Sequence, residues 1–415
     1  MEAEYRRRYL DDVLADMLPE VSGVLLTGPR SCGKTTTAIR HAGAVLRLDV
    51  PGTAAAVAAD PDLALASEST RPLLIDEWQE VPEVLGAVKR GVDQNPAAGQ
   101  FILTGSVRSQ SSSRMWPGTG RLIRIPMAPL AQREIAGFEG SVSDLFLHRL
   151  FGRGEPDLST SALTLTDYVH LTVQGGFPEV LRLASARARR AWLDSYVEQL
   201  LVRDISELGE GVDPIRLRQY VDVLAVNTAG VLAQSALAQS ASITVKTSER
   251  YDQLLAEVGI IDNPQPWGRN RLARIEKRPK RIIVDSGLAV AAARLDEGTI
   301  LHDGTLLGRF LEGFVFSQLR AEVLAAEDRM ALHHVRGLNG RHEIDFVIEG
   351  SGGRVLGIEV KASTSVVERD ARHLAWLRDS IGQDFVGGLV LHAGPNAYPL
   401  DDRLWAMPIS SLWDG

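Results

Sequence analysis

The sequence lacks several features that would place it in a class of proteins at once. It contains a single cysteine, Cys32, so no disulfide can form within the chain and a reducing compartment is expected. No segment approaches the roughly 18 uninterrupted apolar residues that a membrane-spanning helix needs. The amino terminus is charged and has no apolar signal-peptide core. We therefore expect a cytoplasmic protein without a membrane partner.

Histidine usage and net charge argue against two further classes. The nine histidines show neither an H-E-x-x-H motif nor clusters with cysteine, so a zinc site is not expected. The formal net charge of −8 argues against nonspecific nucleic-acid binding by the whole surface, although it is compatible with local basic patches. The 415 residues, of which 45% are hydrophobic, suffice for two or three domains with their own cores.

One short stretch carries a complete phosphate-binding motif. Residues 28–35 read GPRSCGKT and fit G-x-x-x-x-G-K-[ST] at every position. The apolar segment before them predicts a buried strand, and the segment after them predicts a helix, which favours nucleotide binding over a plain glycine-rich turn. Backbone amides of such a loop face a polyphosphate. The predicted nucleotide contacts are Gly28, Pro29, Arg30, Ser31, Cys32, Gly33, Lys34, Thr35 and Thr36.

Two of these residues have specific predicted roles, and two acids downstream complete the set. Lys34 would pair with the β- and γ-phosphates of ATP, and the Thr35 hydroxyl would bind Mg²⁺. In RPLLIDEWQEV, residues 73–75 predict a buried strand with Asp76 and Glu77 at its carboxyl end, where ligands of open α/β sheets bind. Asp76 is predicted to hold Mg²⁺ and Glu77 to orient the attacking water. A strand end that meets a helix cap is the alternative.

Polar residues also follow a third apolar strand, and an arginine opens a fourth. In FILTGS, residues 101–103 are apolar, and Thr104 and Ser106 follow them. We predict that these hydroxyls reach the γ-phosphate or the water; the alternative is that they only satisfy backbone groups of a turn. In GRLIRIP, Arg121 precedes the fourth strand.

Taken in order, these segments resemble one family. They are similar to the prokaryotic AAA-type ATPases whose carboxyl-terminal half is a domain of unknown function, and the resemblance rests on GPRSCGKTT, LLIDEWQEVPEVL, FILTGS, GRLIRIPMAPLAQRE and QGGFPEV. The resemblance implies an AAA-like core with Asp76 and Glu77 as Walker B and residues 104–106 as a sensor segment. It implies that Arg121 is a γ-phosphate sensor or arginine finger, with a solvated arginine as the alternative. No arginine stands out at the lid position usual in AAA+ proteins.

The middle of the chain predicts a helical region with a basic segment. GRGEPDLSTS, residues 152–161, is typical of a linker. Helical patterns follow, interrupted at residues 175–178, and then three successive helices and a hairpin that resemble a winged helix, whose third helix enters a DNA major groove. Residues 269–281 contain seven basic residues and one acid, which could neutralise several phosphates. DNA is therefore a predicted partner and a protein is the alternative; the predicted exposed residues of the third helix are Thr244, Lys246, Thr247 and Arg250.

The last third of the chain carries a second set of acids. Residues 342–363 predict a hairpin of alternating strands. Glu359 and Lys361 are two residues apart and share a face, Asp345 lies at a similar level of the first strand, and Glu312 lies on an amphipathic helix. The pattern resembles the PD-(D/E)xK nuclease fold, in which the three acids would bind Mg²⁺ and Lys361 would support the attacking water. The alternatives are a nuclease-like domain that binds without cutting, and a solvated hairpin with an Asp345–Lys361 salt bridge.

The sequence thus predicts an α/β protein in three parts. Residues 1–151 would form a P-loop AAA-type ATPase domain with a parallel sheet, residues 162–300 a helical and winged-helix region, and residues 301–415 a restriction-endonuclease-like α/β domain. The expected function is Mg²⁺-dependent binding and hydrolysis of ATP, whose nucleotide state controls the carboxyl-terminal module. The alternative is a nucleotide-switched regulator that binds a protein partner, and an oligomer is compatible with both.

Overall fold

A parallel sheet forms the centre of the amino-terminal part. The structure is a computed structural model that describes residues 5–105, 119–201, 212–268, 278–336 and 342–414. The strands of this sheet are β1 (Gly23–Thr27), β2 (Ala44–Arg47), β3 (Leu73–Asp76), β4 (Phe101–Thr104) and β5 (Ile123–Pro126). Their order is β2-β3-β4-β1-β5, and all neighbouring pairs are parallel. The predicted α/β class with a parallel sheet is confirmed.

Helices cover both faces of this sheet. They are α1 (Tyr9–Met17), α2 (Lys34–His41), α3 (Pro51–Ala59), α4 (Pro61–Ser67), α5 (Val84–Gln94) and α6 (Gln132–Ala136). Leu74 and Ile102 pack with α1 and α2 on one face, whereas their neighbours Ile75 and Leu103 pack with α3, α4 and α5 on the other. Because side chains alternate along a strand, a strand buried on both faces is apolar at every position. This explains the uninterrupted apolar runs before Thr104 and Asp76.

The middle of the chain is largely helical, as predicted. Its helices are α7 (Phe146–Arg153), α8 (Leu165–Gln174), α9 (Pro178–Arg182), α10 (Ala186–Gln199), α11 (Pro214–Val226), α12 (Gln234–Ser240), α13 (Val245–Glu257), α14 (Ser286–Ala292) and α15 (Glu297–His302). After α11, α12 and α13, the short strands β6 (Ile261–Asp262) and β8 (Ile282–Ile283) pair antiparallel. The three predicted helices are confirmed, and the predicted exposed residues of α13 are exposed except Thr247, which is partly buried. Residues 269–277 of the predicted basic hairpin lie outside the described residues.

A second, mixed sheet forms the carboxyl-terminal part. Its strands are β7 (Gln265–Pro266), β9 (Ala331–Arg336), β10 (Glu343–Glu349), β11 (Val355–Lys361), β12 (Phe385–His392), β13 (Tyr398–Asp401) and β14 (Leu404–Pro408), and its helices are α16 (Gly304–Ala325) and α17 (Arg372–Ile381). The order is β13-β14-β12-β11-β10-β9-β7. β10 and β11 form the predicted antiparallel hairpin, and α17 connects β11 to its parallel neighbour β12.

The second and third parts share one hydrophobic core. β7, from the middle of the chain, pairs with β9 of the carboxyl-terminal sheet. A single buried cluster extends from Phe146 to Leu412. In the predicted linker, the Ser161 backbone N–H donates to the carbonyl of Pro395 at 2.8 Å. The predicted boundary at residue 300 therefore does not coincide with a break in the packing.

Helix α16 joins the two sheets. Its Gln318 Oε1 accepts a hydrogen bond from the backbone N–H of Gln132 at 2.7 Å, and Glu322 Oε2 accepts one from the N–H of Leu147 at 2.8 Å. Burial raises the pKa of Glu322 to about 7, because a carboxylate in an apolar environment loses its hydration.

In the part of the chain that the structure describes, no helix is long and apolar enough to cross a membrane.

The buried Glu322 makes stability depend on pH. Because its pKa rises from about 4.5 to about 7 on folding, the folded protein holds this proton more tightly than the unfolded chain. The contribution is fully present below about pH 4.5 and is lost as the pH rises through about 7; its size is on the order of 3 kcal/mol. We expect Glu322→Gln, which does not titrate, to gain in Tm relative to the wild type between pH 5 and pH 8, as measured by calorimetry.

Glu20→Gln is the matched control, since Glu20 is exposed and its substitution should leave the pH profile of Tm unchanged. A difference in Tm between Glu322→Gln and the wild type that is constant from pH 5 to pH 8 would contradict the assignment.

Candidate functional site

The loop between β1 and α2 has a backbone that requires glycine. Gly28 and Gly33 have φ values of 143° and 105°, and Ser31 also has a positive φ, 58°. A Cβ atom on Gly28 would lie 2.2 Å from the carbonyl oxygen of Met127, which is far inside van der Waals contact. The left-handed backbone and the close approach of β5 therefore exclude other residues at Gly28.

Lys34, the first residue of α2, folds its side chain back into this loop. Its ammonium donates hydrogen bonds to the carbonyl oxygens of Pro29 at 2.7 Å and Gly28 at 3.1 Å, and the residue is buried. The charge of Lys34 therefore lies inside the loop, at the end of β1.

A single carboxylate connects three elements at this end of the sheet. Asp76 Oδ1 accepts a hydrogen bond from the hydroxyl of Thr35 at 2.7 Å and another from the hydroxyl of Thr104. Asp76 is 2% exposed, and it lies opposite Thr104 in the pairing of β3 with β4. The structure thus brings Thr35, Asp76 and Thr104 together, whereas Ser106 lies outside the described residues.

Glu77 adopts a strained backbone conformation beside Asp76. Its φ and ψ of 53° and 47° are left-handed, which is uncommon for a residue other than glycine and is concentrated at functional sites. The side-chain amide of Gln79 donates to the Glu77 carboxylate. This turn directs Glu77 to the cavity that Lys34 and Thr35 also line.

That cavity has a volume of about 1000 Å³ and lies between the first and second parts of the chain. Loop residues form one wall, and α9 and α10 contribute another, so the site is not confined to the P-loop domain. Tyr196 of α10 donates its hydroxyl hydrogen to the carbonyl of Arg30 at 3.1 Å. The Gly176 carbonyl, just before α9, accepts the N–H of Leu130 at 2.8 Å.

Four arginines in the lining of this cavity were not predicted from the sequence, namely Arg6, Arg7, Arg8 and Arg182, and the contacts of Arg182 and Arg8 bear most directly on the site. Arg182 of α9 lines the cavity, and its guanidinium forms a salt bridge with Glu179 at 2.7 Å. It lies two residues after the end of the QGGFPEV segment, and this position is the signal that could have revealed it. The expectation that no arginine stands at the lid position usual in AAA+ proteins stays a prediction, and the structure places Arg182 of α9 in the lining of the cavity.

Another of these arginines, Arg8, is almost fully buried behind the loop. Its guanidinium donates to the carbonyls of Cys32 at 2.9 Å and Ala128 at 2.6 Å, and it forms a salt bridge with Glu134 at 3.0 Å. Arg8 thus fixes the phosphate-binding loop to the chain after β5. It lies in a run of three arginines, and nothing in the sequence distinguishes it from its neighbours.

Arg121 is placed differently from the prediction. Its Nε lies 2.6 Å from Asp93 Oδ1 of α5, and the residue does not belong to the cavity lining. The structure therefore does not bring Arg121 to the site of its own chain. Its role as a γ-phosphate sensor or arginine finger stays a prediction.

The second set of acids lies on β10, β11 and α16. Continuing the β10–β11 register by one residue places Asp345 opposite Glu359, and Asp345 Oδ2 accepts the N–H of Val360 at 2.9 Å. Burial and the adjacent Asp345 carboxylate raise the pKa of Glu359 well above its usual range. The ammonium of Lys361 lies 3.4 Å from Glu359 Oε2. The predicted hairpin residues are therefore neighbours.

The third acid, Glu312, has a partner that the sequence analysis did not predict. The ammonium of Lys280 pairs with Glu312 and lies 3.8 Å from Asp345 Oδ1. Burial would lower the pKa of Lys280, but the charges of Glu312 and Asp345 outweigh it and raise the pKa. Among the described residues, no three His, Cys, Asp or Glu side chains form a group suited to hold a metal ion. The predicted Mg²⁺ set of Glu312, Asp345 and Glu359 thus does not fit a divalent ion as it is arranged.

Comparisons with known proteins agree with the geometry of the first site. Residues 22–136 match a family described as an AAA domain. Residues 165–299 and 307–412 match two families described as domains of unknown function, DUF8612 and DUF4143.

Relatives with similar sequences span nearly the whole chain. The uncharacterized proteins Rv2008c of Mycobacterium tuberculosis and Mb2031c of Mycobacterium bovis are each 28% identical over 393 residues, which is 94% of this chain and 80% of the relative. Among solved structures, a Walker-type ATPase of Pyrococcus abyssi has a TM-score of 0.42 and 15% identity, over 69% of this chain and 96% of the other. The similarity to an AAA domain is thus confined to residues 22–136, and the descriptions of the other two matched families name no activity.

Proposed function

We propose that the protein binds ATP with Mg²⁺ at the loop of residues 28–35 and hydrolyses it. The observation that carries this proposal is the meeting of Lys34, Thr35 and Glu77 at one cavity, with Asp76 bonded to Thr35 behind them. The AAA-domain match of residues 22–136 supports it independently of the side-chain geometry.

Binding would exchange the contacts of the loop for contacts with phosphate. The ammonium of Lys34 now donates to two loop carbonyls, and in the complex it would donate to β- and γ-phosphate oxygens. Thr35 and Asp76 present a hydroxyl and a carboxylate, which are the hard oxygen ligands that Mg²⁺ prefers. When bound there, Mg²⁺ neutralises phosphate charge and holds the triphosphate in position.

Hydrolysis would use Glu77 to orient water. A carboxylate that accepts a proton from the attacking water must sit at the cavity in a fixed orientation, and the left-handed backbone of Glu77 and its contact with Gln79 provide that orientation. Thr104 would act through Asp76, whose carboxylate it holds in place.

Helix α9 would transmit a change between ATP and ADP in the cavity to the middle of the chain. Arg182 stands across the cavity from the loop and at present pairs with Glu179. A triphosphate in the cavity would compete with Glu179 for this guanidinium, since charge-assisted bonds from arginine to phosphate are strong. We infer that Arg182 contacts the γ-phosphate and couples hydrolysis to the position of α9.

Two substitutions separate binding from turnover. Lys34→Ala should lose measurable ATP binding, because the principal cation for the β- and γ-phosphates is gone. Glu77→Gln should bind ATP as the wild type does but hydrolyse it about 10²–10⁴-fold more slowly, which is the usual contribution of a general base. Binding is measured by equilibrium dialysis and turnover by phosphate release.

Lys89→Ala provides the matched control, because Lys89 lies on α5 and pairs with Asp93 outside the cavity. It should behave as the wild type. Equal turnover by Glu77→Gln and the wild type would remove Glu77 from the catalytic role.

Loss of Arg182 should slow turnover more than it weakens binding. If the guanidinium contacts the γ-phosphate mainly as charge develops in the transition state, Arg182→Ala lowers kcat by on the order of 10²-fold and changes the Kd for ATP much less. The control is Arg187→Ala on α10, an exposed arginine outside the cavity lining. Unchanged kcat in Arg182→Ala would show that α9 does not take part in the reaction.

A second candidate function, DNA binding by the middle region, is favoured by the exposed polar face of α13. Lys246 and Arg250 are exposed on this helix, and α13 is the third of three helices before the antiparallel pair of β6 and β8. That order is the one in which a winged helix presents its third helix to the major groove. Of the seven basic residues of the predicted segment 269–281, Lys280 and Arg281 form buried ion pairs within the protein and are not available to DNA.

Duplex DNA should therefore stimulate ATP hydrolysis by the wild type. The stimulation should decrease in Lys246→Glu, and it should fall steeply with salt because phosphate contacts release counterions. The measurement is phosphate release with and without a short duplex over a series of salt concentrations. Turnover that is the same with and without DNA in low salt would contradict this second function.

A further inference from the structure

The acidic site of the carboxyl-terminal sheet contains a cation from its own chain. The ammonium of Lys280 forms an ion pair with Glu312 of α16 and donates a hydrogen bond to the backbone carbonyl of Asp345 at 3.0 Å. It lies 3.8 Å from Asp345 Oδ1, and the side chain of Lys280 is only 3% exposed. The ring centroid of Phe346 lies 5.1 Å from the same nitrogen, within the range of a cation–π contact.

These contacts satisfy the ammonium as a ligand set would satisfy a metal ion. A lysine ammonium has three N–H donors and no acceptor, and here it faces a carboxylate, a carbonyl oxygen and a second carboxylate. A single positive charge thereby lies beside two carboxylates and compensates part of their negative charge.

The remaining acid has a lysine of its own. The carboxylate of Glu359 pairs with the ammonium of Lys361 at 3.4 Å. The three carboxylates of the site, those of Glu312, Asp345 and Glu359, therefore lie beside two ammonium groups, those of Lys280 and Lys361.

The position of Lys280 is fixed from the opposite side by the next residue. Arg281 forms a salt bridge with Asp252 of α13 at 2.7 Å and donates to the side chain of Gln234 of α12. Two successive residues thus form ion pairs in different parts of the chain. Arg281 pairs with an acid of the three-helix region, and Lys280 pairs with Glu312 beside the carboxyl-terminal sheet. The anchor at Arg281 holds the backbone next to Lys280 in place.

We propose that Lys280 is the resident cation of this site and takes the place of the divalent ion that the acidic pattern would otherwise bind. A divalent ion between Glu312 and Asp345 would lie against the ammonium and be repelled by it. It would bind only if Lys280 withdrew, which would leave a buried ammonium without a partner. Residues 280 and 281 thus link the three-helix region to this site, because Arg281 pairs with Asp252 while Lys280 occupies the position of the divalent ion.

The test is a Mn²⁺ titration of the full-length protein without nucleotide. Lys280→Met removes the charge while keeping the length of the side chain, so Glu312 and Asp345 become free to bind Mn²⁺. We expect an additional Mn²⁺ site in Lys280→Met by electron paramagnetic resonance, together with a Mn²⁺-dependent rise in Tm that the wild type does not show. Adding Glu312→Gln to this variant should abolish both effects, whereas Mn²⁺ bound elsewhere is common to all forms and cancels.

If Lys280→Met does not fold, the proposal is tested by comparing Mn²⁺ binding of the wild type with that of Glu312→Gln, both of which keep Lys280. Because the ammonium already fills the site, Glu312→Gln alone should bind Mn²⁺ with the same stoichiometry and Kd as the wild type. A Mn²⁺ site in the wild type that Glu312→Gln loses would overturn the proposal, and so would a folded Lys280→Met variant with no gain in Mn²⁺ binding.

Discussion

The candidate nucleotide site depends on the carboxylate of Asp76. One of its oxygens accepts hydrogen bonds from Thr35 at the start of α2 and from Thr104 at the end of β4. These bonds fix the helix after the phosphate-binding loop to the neighbouring strands β3 and β4, in a position shielded from solvent. A buried carboxylate must be satisfied by donors, so the two threonines and the acid constrain one another. Lys34 precedes Thr35 and Glu77 follows Asp76 in the sequence, so the hydrogen bond between Thr35 and Asp76 sets the positions of both. The proposed roles of Lys34 and Glu77 require these positions.

Features encoded by neighbouring residues could be predicted from the sequence. The phosphate-binding loop is a run of eight residues whose backbone is dictated by glycines 28 and 33. The E-x-K hairpin follows from two segments rich in apolar residues that are separated by the glycine-rich turn of residues 350–353. The strand β2 was not predicted, because its residues are only half buried at the edge of the sheet and its apolar pattern is short.

Contacts between residues that are distant in sequence could not be predicted. Arg8 reaches Glu134 across 126 positions, and Lys280 reaches Asp345 across 65. An arginine in a basic run and a lysine in another look solvated when only their neighbours in sequence are considered. Their burial distinguishes them, and burial is a property of the assembled fold. Arg182 belongs to the same category, because the cavity that gives it a role is formed by parts of the chain that are far apart in sequence.

The participation of β7 in the carboxyl-terminal sheet limits how this chain can be divided or recombined. Residues 265 and 266 belong by sequence position to the helical region, yet they form an edge strand beside β9, and the surrounding core continues across the region. A chimera joined near residue 300 would combine an edge strand from one parent with a sheet from the other. A chimera of two homologues that keeps this common core intact would therefore need its junction on the amino-terminal side of residue 146, where the core begins.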